Sequence, residues 1–408
     1  MPAPPDRPDV HGMFLPALLV SVTSFAAQCV IVASPMLRDI LGLSEAALGW
    51  LLSMSLVTGM FGSLLGGWLA DRGLGRLTAI ASLALATLSY GLCALAPSYA
   101  RYLVAAALIG VGNYAVSTVA NVAVIRANAG GARRALTWLM LIAAGTGMAA
   151  PVAWATVLSL LSKTALGAPG AVQVAFLVSA IACGLTLPVV LAGKLHGGGP
   201  APVPAAGSPV RIGGPALVMV CVFVGLHTSA DNGMYVWLPD FASRRFDPSP
   251  FPIAWILSGY SGAYLVGRLV LTTLPERVDD LALLGAAAAV GAVLCVLAFR
   301  SGSQYALASL YVVAGLSLSV DYPSILAHIG RQFPHAAGRV VAIGGAVSGG
   351  ASFLVPPLMG YLGDAAGTMV AGMMLPPILL ATLSLSALLW RAYLRRRERV
   401  PSTAPVAA

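Results

Sequence analysis

Twelve stretches of mostly apolar residues follow one another through this chain, at 13–36, 46–70, 77–96, 102–125, 135–160, 172–193, 215–239, 252–274, 281–299, 304–328, 340–362 and 369–393. Each approaches the roughly 20 residues that a helix needs to cross the hydrocarbon core of a bilayer. Lipid offers the backbone no hydrogen-bond partner, so a spanning segment is either a helix or a strand of a closed barrel. Barrel strands are short and alternate in polarity, which these runs do not. The expectation is therefore an all-α membrane protein with twelve transmembrane helices. Only 9% of the residues are charged and 58% are hydrophobic, against about 25% charged in a soluble domain. The surface lacks the charges to face water and must face a lipid bilayer. The net charge of +9 does not point to nucleic acid, because the basic residues are spread between apolar runs. Cys29, Cys93, Cys183, Cys221 and Cys295 all lie inside apolar stretches, where cysteine packs as a small hydrophobe.

The run Gly197-Gly198-Gly199-Pro200-Ala201-Pro202-Val203-Pro204 is dense in helix breakers and divides the chain. The expected organisation is a cytoplasmic tail (1–12), a six-helix bundle (13–193), a cytoplasmic linker (194–214), a second six-helix bundle (215–393) and a cytoplasmic tail (394–408). The first apolar run is too long for the core of a signal peptide. With the N-terminus inside, 17 of the 23 Lys and Arg residues fall in cytoplasmic loops, and such an excess marks the cytoplasmic side. The two bundles also repeat. An offset of 205 carries Leu69-Ala70-Asp71-Arg72 onto Leu274-Pro275-Glu276-Arg277, Trp50 onto Trp255 and Gly62 onto Gly267, and an offset of 203 carries Tyr102 onto Tyr305 and Gly112 onto Gly315. Two pseudo-symmetric halves are a common plan of secondary transporters. Two lysines (Lys163 and Lys194) among many arginines and alanines suggest a GC-rich bacterial genome, hence a bacterial inner membrane.

Gly67-Trp68-Leu69-Ala70-Asp71-Arg72-Gly73-Leu74-Gly75-Arg76 resembles the signature loop between the second and third helices of the major facilitator superfamily, with one extra residue between Arg72 and Gly75. The resemblance implies the major facilitator fold and alternating access. It also implies a cytoplasmic gate at Asp71, Arg72 and Arg76, repeated at Glu276 and Arg277. Asp231, Trp237-Leu238-Pro239, Gly267-Arg268, Pro323, Pro356-Pro357 and Gly360 are similar to the fucose-permease-like branch of sugar transporters, which carries Glu where this chain has Asp231. Ala106 stands where an arginine is often found in the fourth helix. Gly147-Met148-Ala149-Ala150-Pro151 departs from the antiporter pattern of the fifth.

Of fourteen acidic residues, Asp231 and Asp321 fall well inside spans. A carboxylate there costs about 2.5–3.5 kcal/mol on insertion scales and persists mainly where it meets water, a partner or a substrate. The two are on the seventh and tenth spans, which line the central cavity in the resembling family. His227 lies one turn before Asp231 on the same face. These three are the candidates for proton coupling or substrate contact. Asn113, Ser117 and Asn121 recur every four residues on the fourth span, and with Gln28, Asn232, Tyr322 and Trp237 they are the further candidates for binding a polar solute. Amides and hydroxyls in a membrane can equally join helices.

No closely spaced His, Cys, Asp or Glu set suggests a metal, and no phosphate-binding loop suggests ATP. No cofactor is expected, and transport must draw on a gradient, with the proton as the coupling ion and a monomer as the expected state. Gly259-Tyr260-Ser261-Gly262 matches the serine motif of intramembrane proteases, with His328 as the partner available in a later span. That rival does not account for the duplicated layout. The leading expectation is proton-coupled uptake of a small polar, sugar-like solute; the alternative is proton-coupled efflux of a drug or metabolite.

Overall fold

The computed structural model describes residues 10–95, 98–127, 132–195, 214–246, 249–271, 278–333 and 337–399. Glu276, Arg277, most of the 194–214 linker and the outer parts of both tails lie outside them. The described residues form helices and no strand. The first half holds α1 (Val10–Val32), α2 (Ser34–Leu41), α3 (Glu45–Asp71), α4 (Gly75–Ala94), α5 (Tyr99–Ala127), α6 (Ala132–Ser162) and α7 (Gly167–Ala192). The second holds α8 (Pro215–Arg245), α9 (Pro250–Leu271), α10 (Asp280–Arg300), α11 (Gln304–Leu318), α12 (Asp321–Gln332), α13 (Ala337–Ala366), α14 (Met369–Met373) and α15 (Leu375–Arg399). With α11–α12 and α14–α15 each counted as one, twelve crossings are long and apolar enough to span a membrane. An even number of crossings brings both chain ends to one end of the bundle, here termed the terminal end; the other is the distal end.

Short breaks between crossings follow from local chemistry. After α2 the chain turns at Gly42, whose φ of 61° is open to glycine at no steric cost. Ser44 then caps α3, its hydroxyl accepting the Ala47 N–H at 3.2 Å. The tenth crossing is split between Leu318 and Asp321. Pro323 is the cause: it has no N–H to give the Ser319 carbonyl four residues earlier, and its ring clashes with that carbonyl. The break leaves Asp321 on the first turn of α12, deep in the second half.

The halves pack internally through α3, α4, α5 and α7, and through α10, α11 and α15; they meet each other along α3–α13 and α6–α9. The internal repeat is visible contact by contact. A Cβ on Gly62 would lie 2.4 Å from the Val111 carbonyl oxygen, and one on Gly267 would lie 2.8 Å from that of Leu316. Gly110 abuts the Ser55 backbone, and Gly315 abuts the ring of the corresponding Tyr260. In each case both partners move by 205 residues, so the fourth and tenth crossings share that register and not the 203 expected from Tyr102 and Tyr305.

Between the halves, α3 and α13 touch most closely at the distal end. A Cβ on Gly49 would lie 2.5 Å from the Pro356 carbonyl oxygen, and one on Gly360 would lie 2.3 Å from that of Glu45. Further toward the terminal end, Gly345 and Gly350 of α13 have nothing within 4 Å of the same position. The glycines at 59, 62 and 66 seat α3 on α5 inside one half. Overpacking a tight contact costs typically 1–3 kcal/mol. Gly360→Leu is therefore expected to lower the melting temperature of the purified protein, and Gly350→Ala to leave it unchanged.

Candidate functional site

Five charged side chains close the distal end. Arg38 of α2 meets Asp240 of α8 at 2.6 Å, and Asp240 is fully buried. Arg244, one turn later, donates from Nε to Asp240 at 2.8 Å and also pairs with Glu45 at the start of α3. Asp364, near the end of α13, accepts the Glu45 N–H at 3.0 Å and the Ala46 N–H at 2.9 Å. A carboxylate from the second half thus serves as an anionic cap for a first-half helix, where the helix dipole favours negative charge. Every one of these contacts except Arg244–Asp240 crosses between halves. Buried charges are tolerated only when paired and hydrogen-bonded, so the cluster holds together only while the distal ends stay in contact.

Below it lies a cavity of about 390 Å³ between α3, α5, α8 and α13. Its polar lining is Ser63, Thr118, Asn232, Ser348 and Ser352 and its apolar lining is Leu56, Met60 and Leu64, with Tyr114, Gly345, Ala346 and Gly349 making up the rest. Asn232 donates to Ser352 at 3.2 Å and Ser348 to Thr228 at 2.9 Å, which orients the polar lining.

The acidic groups stand beside this cavity, on the second half. Asp231 Oδ1 accepts the Tyr264 hydroxyl at 2.9 Å and that of Tyr260. Tyr260 in turn stacks on Tyr311 with ring centroids 4.4 Å apart. Deeper still, His227 Nδ1 lies 3.4 Å from Asp321 Oδ2, with both side chains buried. Neither Asp321 oxygen has a hydrogen-bond partner among the described residues. The Tyr322 ring lies nearly parallel to His227, 6.3 Å away. The structure therefore brings Asp231, His227 and Asp321 into one region of α8, α9 and α12.

The other expected binding residues separate. Asn232 lines the cavity. Gln28 accepts the Tyr235 hydroxyl at 3.2 Å, a bond across the two halves. Asn113 is turned into its own half and donates to Tyr90 at 3.4 Å. Ser117 and Asn121 share its stripe, while the cavity is lined by the neighbouring Tyr114–Thr118 face of α5. Trp237 is fully buried and donates to the Pro356 carbonyl at 3.0 Å, tying α8 to α13. Reading the sequence missed the distal cluster: the seventh span was expected to end at residue 239, whereas α8 continues to Arg245. The Asp240–Arg244 spacing of four, ideal for an ion pair on one helix, was the available signal.

At the terminal end the ion pairs among the described residues stay within their own halves. Asp71 meets Arg126 at 2.9 Å, the Arg72 guanidinium lies 3.7 Å over the Trp68 ring, and Arg76 donates to the Leu191 carbonyl. In the second half Arg331 pairs with Asp280, and Asp279 is held by Arg391 at 2.7 Å and Arg395 at 3.2 Å. Burial pushes the Asp279 carboxyl up, but the Arg391 bond and charge and the Leu281 and Ala282 N–H groups outweigh it and hold the group below its ordinary value.

The family model of the Major Facilitator Superfamily matches residues 16–247 and 220–407. Among solved structures, the chain is similar to a bacterial homolog of the human lysosomal transporter Spinster, in an inward-facing and occupied conformation. The TM-score is 0.77 at 13% identity, with 94% of this chain and 97% of that one covered. It is similar to the xylose transporter of E. coli in an inward open conformation, with TM-score 0.71, 13% identity and coverage of 93% and 95%. It is also similar to the fucose:proton symporter of E. coli, with TM-score 0.61, 16% identity and coverage of 94% and 99%. No curated protein matches the sequence significantly.

Removing one partner of a buried pair costs about 3–5 kcal/mol because the remaining charge is left uncompensated. Asp240→Asn removes the fully buried carboxylate shared by Arg38 and Arg244, leaving them only Asp39 and Glu45, and is expected to lower the melting temperature more than Asp39→Asn, whose carboxylate is exposed. Thermal unfolding of the purified proteins checks the order.

Proposed function

The chain belongs to the major facilitator superfamily, and within it we propose a proton-coupled transporter that carries a small polar, sugar-like solute into a bacterial cell across the inner membrane. The observation that carries this reading is the asymmetry of the ion pairs. Among the described residues, those at the distal end join the two halves, and those at the terminal end lie within single halves. The excess of Lys and Arg assigns the terminal end to the cytoplasm, so this is a state closed outside and open inside. Transport then consists of exchanging the distal contacts for contacts at the terminal end, with Asp71, Arg72 and Arg76 giving up Arg126, the Trp68 ring and the Leu191 carbonyl for partners in the second half.

Coupling is assigned to the carboxylates of the second half. In the bilayer interior an ionised carboxylate is costly unless paired, so loading Asp321 with a proton removes a charge and with it the attraction to His227, 3.4 Å away. Asp321 begins the lower piece of a broken helix, so that change bears on how α12 packs against α8. Asp231, held by two tyrosine hydroxyls, is suited to exchange them for the hydroxyls of a solute. The polar lining of Ser63, Thr118, Asn232, Ser348 and Ser352 supplies further donors and acceptors without fixed charge. The similar fucose:proton symporter and xylose transporter support the sugar-like class. A second reading, export of an amphiphilic metabolite or drug, is favoured by the apolar lining of Leu56, Met60 and Leu64.

Proteoliposomes carrying a lumenal pH dye separate these. A pentose or hexose added outside is expected to acidify the lumen, and in Asp321→Asn the acidification is lost while solute counterflow persists. In Asp231→Asn both are expected to fall. Alkalinisation on adding a cationic amphiphile, with no response to any sugar, would replace uptake by export. Counterflow without any proton movement in wild type would remove the coupling role of Asp321.

A further inference from the structure

We propose that a cleft at the terminal end of the second half binds the phosphate group of an anionic phospholipid. The cleft holds about 480 Å³ between the start of α10, the end of α12 and the end of α15, and is lined by Asp279, Asp280, His328, Arg331, Arg391 and Arg395. It lies at the opposite end of the molecule from the distal cluster and on the far side of α8 from the solute cavity. None of its residues has a part in the transport scheme.

Three guanidinium groups face two carboxylates there, leaving an excess positive charge. A guanidinium has five N–H donors. The carboxylate bonds engage Nε of Arg391 and one terminal nitrogen each of Arg395 and Arg331. Both Arg331 and Arg395 are more than half exposed, so donors remain for an anion entering the cleft. His328 borders the cleft and is only 6% exposed; its Nε2 is buried with no hydrogen-bond partner among the described residues, and a buried polar atom left unsatisfied is costly.

The depth of the cleft points to lipid as the source of the phosphate. Tyr393, stacked on the buried Trp390 with centroids 5.0 Å apart, is exposed on the same helix end, and tyrosine is enriched at the membrane–water interface. On the same helix Leu385 and Leu389 are exposed, as residues facing acyl chains are. Leu281 and Leu394 add an apolar edge to the cleft itself, and Arg396 and Arg397 follow on the next turn toward water. Basic pockets between helices at this level are suited to anionic headgroups. The inference depends on the chain spanning a membrane and is independent of the solute and of proton coupling.

The test is native mass spectrometry of the full chain in detergent, titrated with phosphatidylglycerol or phosphatidylcholine, for wild type, Arg395→Gln and Arg331→Gln/Arg395→Gln. Wild type is expected to retain phosphatidylglycerol in preference to phosphatidylcholine, with affinity falling roughly fivefold for each arginine removed. Phosphatidylglycerol is expected to raise the melting temperature of wild type and to lose that effect in the double variant. Comparing the two lipids within each variant separates binding from any loss of fold. Equal affinity for both lipids, or equal phosphatidylglycerol retention in all three proteins, would overturn the site. Displacement of phosphatidylglycerol by millimolar inorganic phosphate, with phosphate alone stabilising wild type, would overturn the lipid assignment in favour of a soluble phosphate.

Discussion

Arg38, Glu45, Asp240, Arg244 and Asp364 form the contact on which the rest of this architecture depends. The two six-helix halves are joined in the described residues by helix packing along α3–α13 and α6–α9, and lipid offers no hydrophobic drive to keep such faces together. At the distal end the glycine and proline contacts of α3 with α13 bring the backbones close enough for a carboxylate of one half to cap a helix of the other. Once those ends are together, the charges are paired. Apart, each must be hydrated. The cluster is therefore stable as a closed contact or as a solvated opening, and unfavourable between, which is the behaviour required of a gate with two states.

The chemistry of the interior is divided unequally. The first half presents serine, threonine, tyrosine and apolar side chains to the cavity, while the acidic groups and the buried histidine belong to the second. The break at Pro323 explains part of this: it places Asp321 at a helix start within the bundle, where a carboxylate is favoured by the free N–H groups of the first turn. The first half has no corresponding break, as α5 runs unbroken from Tyr99 to Ala127. The halves share a backbone plan and a register of 205 residues, and differ in what that plan presents.

Much of this was legible in the chain itself. Runs of apolar residues mark the twelve crossings because the bilayer imposes a length, and the offset repeat marks the halves because glycine contacts between α3 and α5 recur between α9 and α11. The partnership of Asp231 and His227 with one region of the bundle followed from their spacing on a single helix. What could not be read was the direction of polar faces. Asn113, Ser117 and Asn121 have a helical period, but a period does not say whether a face meets a cavity or a neighbouring helix, and Asn113 meets Tyr90. Trp237 carries the same ambiguity. The bond from Asp364 to the start of α3 joins residues 319 apart, and no local pattern announces it.

Paired distance measurements between spin labels test the two-state account most directly. In a background lacking the native cysteines, labels at Lys163 and Ser303 would report the distal ends of the two halves, and labels at Lys194 and Arg396 the terminal ends. All four positions are exposed. Electron–electron resonance in liposomes, across changes of pH and with saturating solute, is predicted to show distal distances lengthening as terminal distances shorten, in matching populations. Distances at both ends that stay fixed, or that lengthen together, would contradict the gate assigned to the distal cluster.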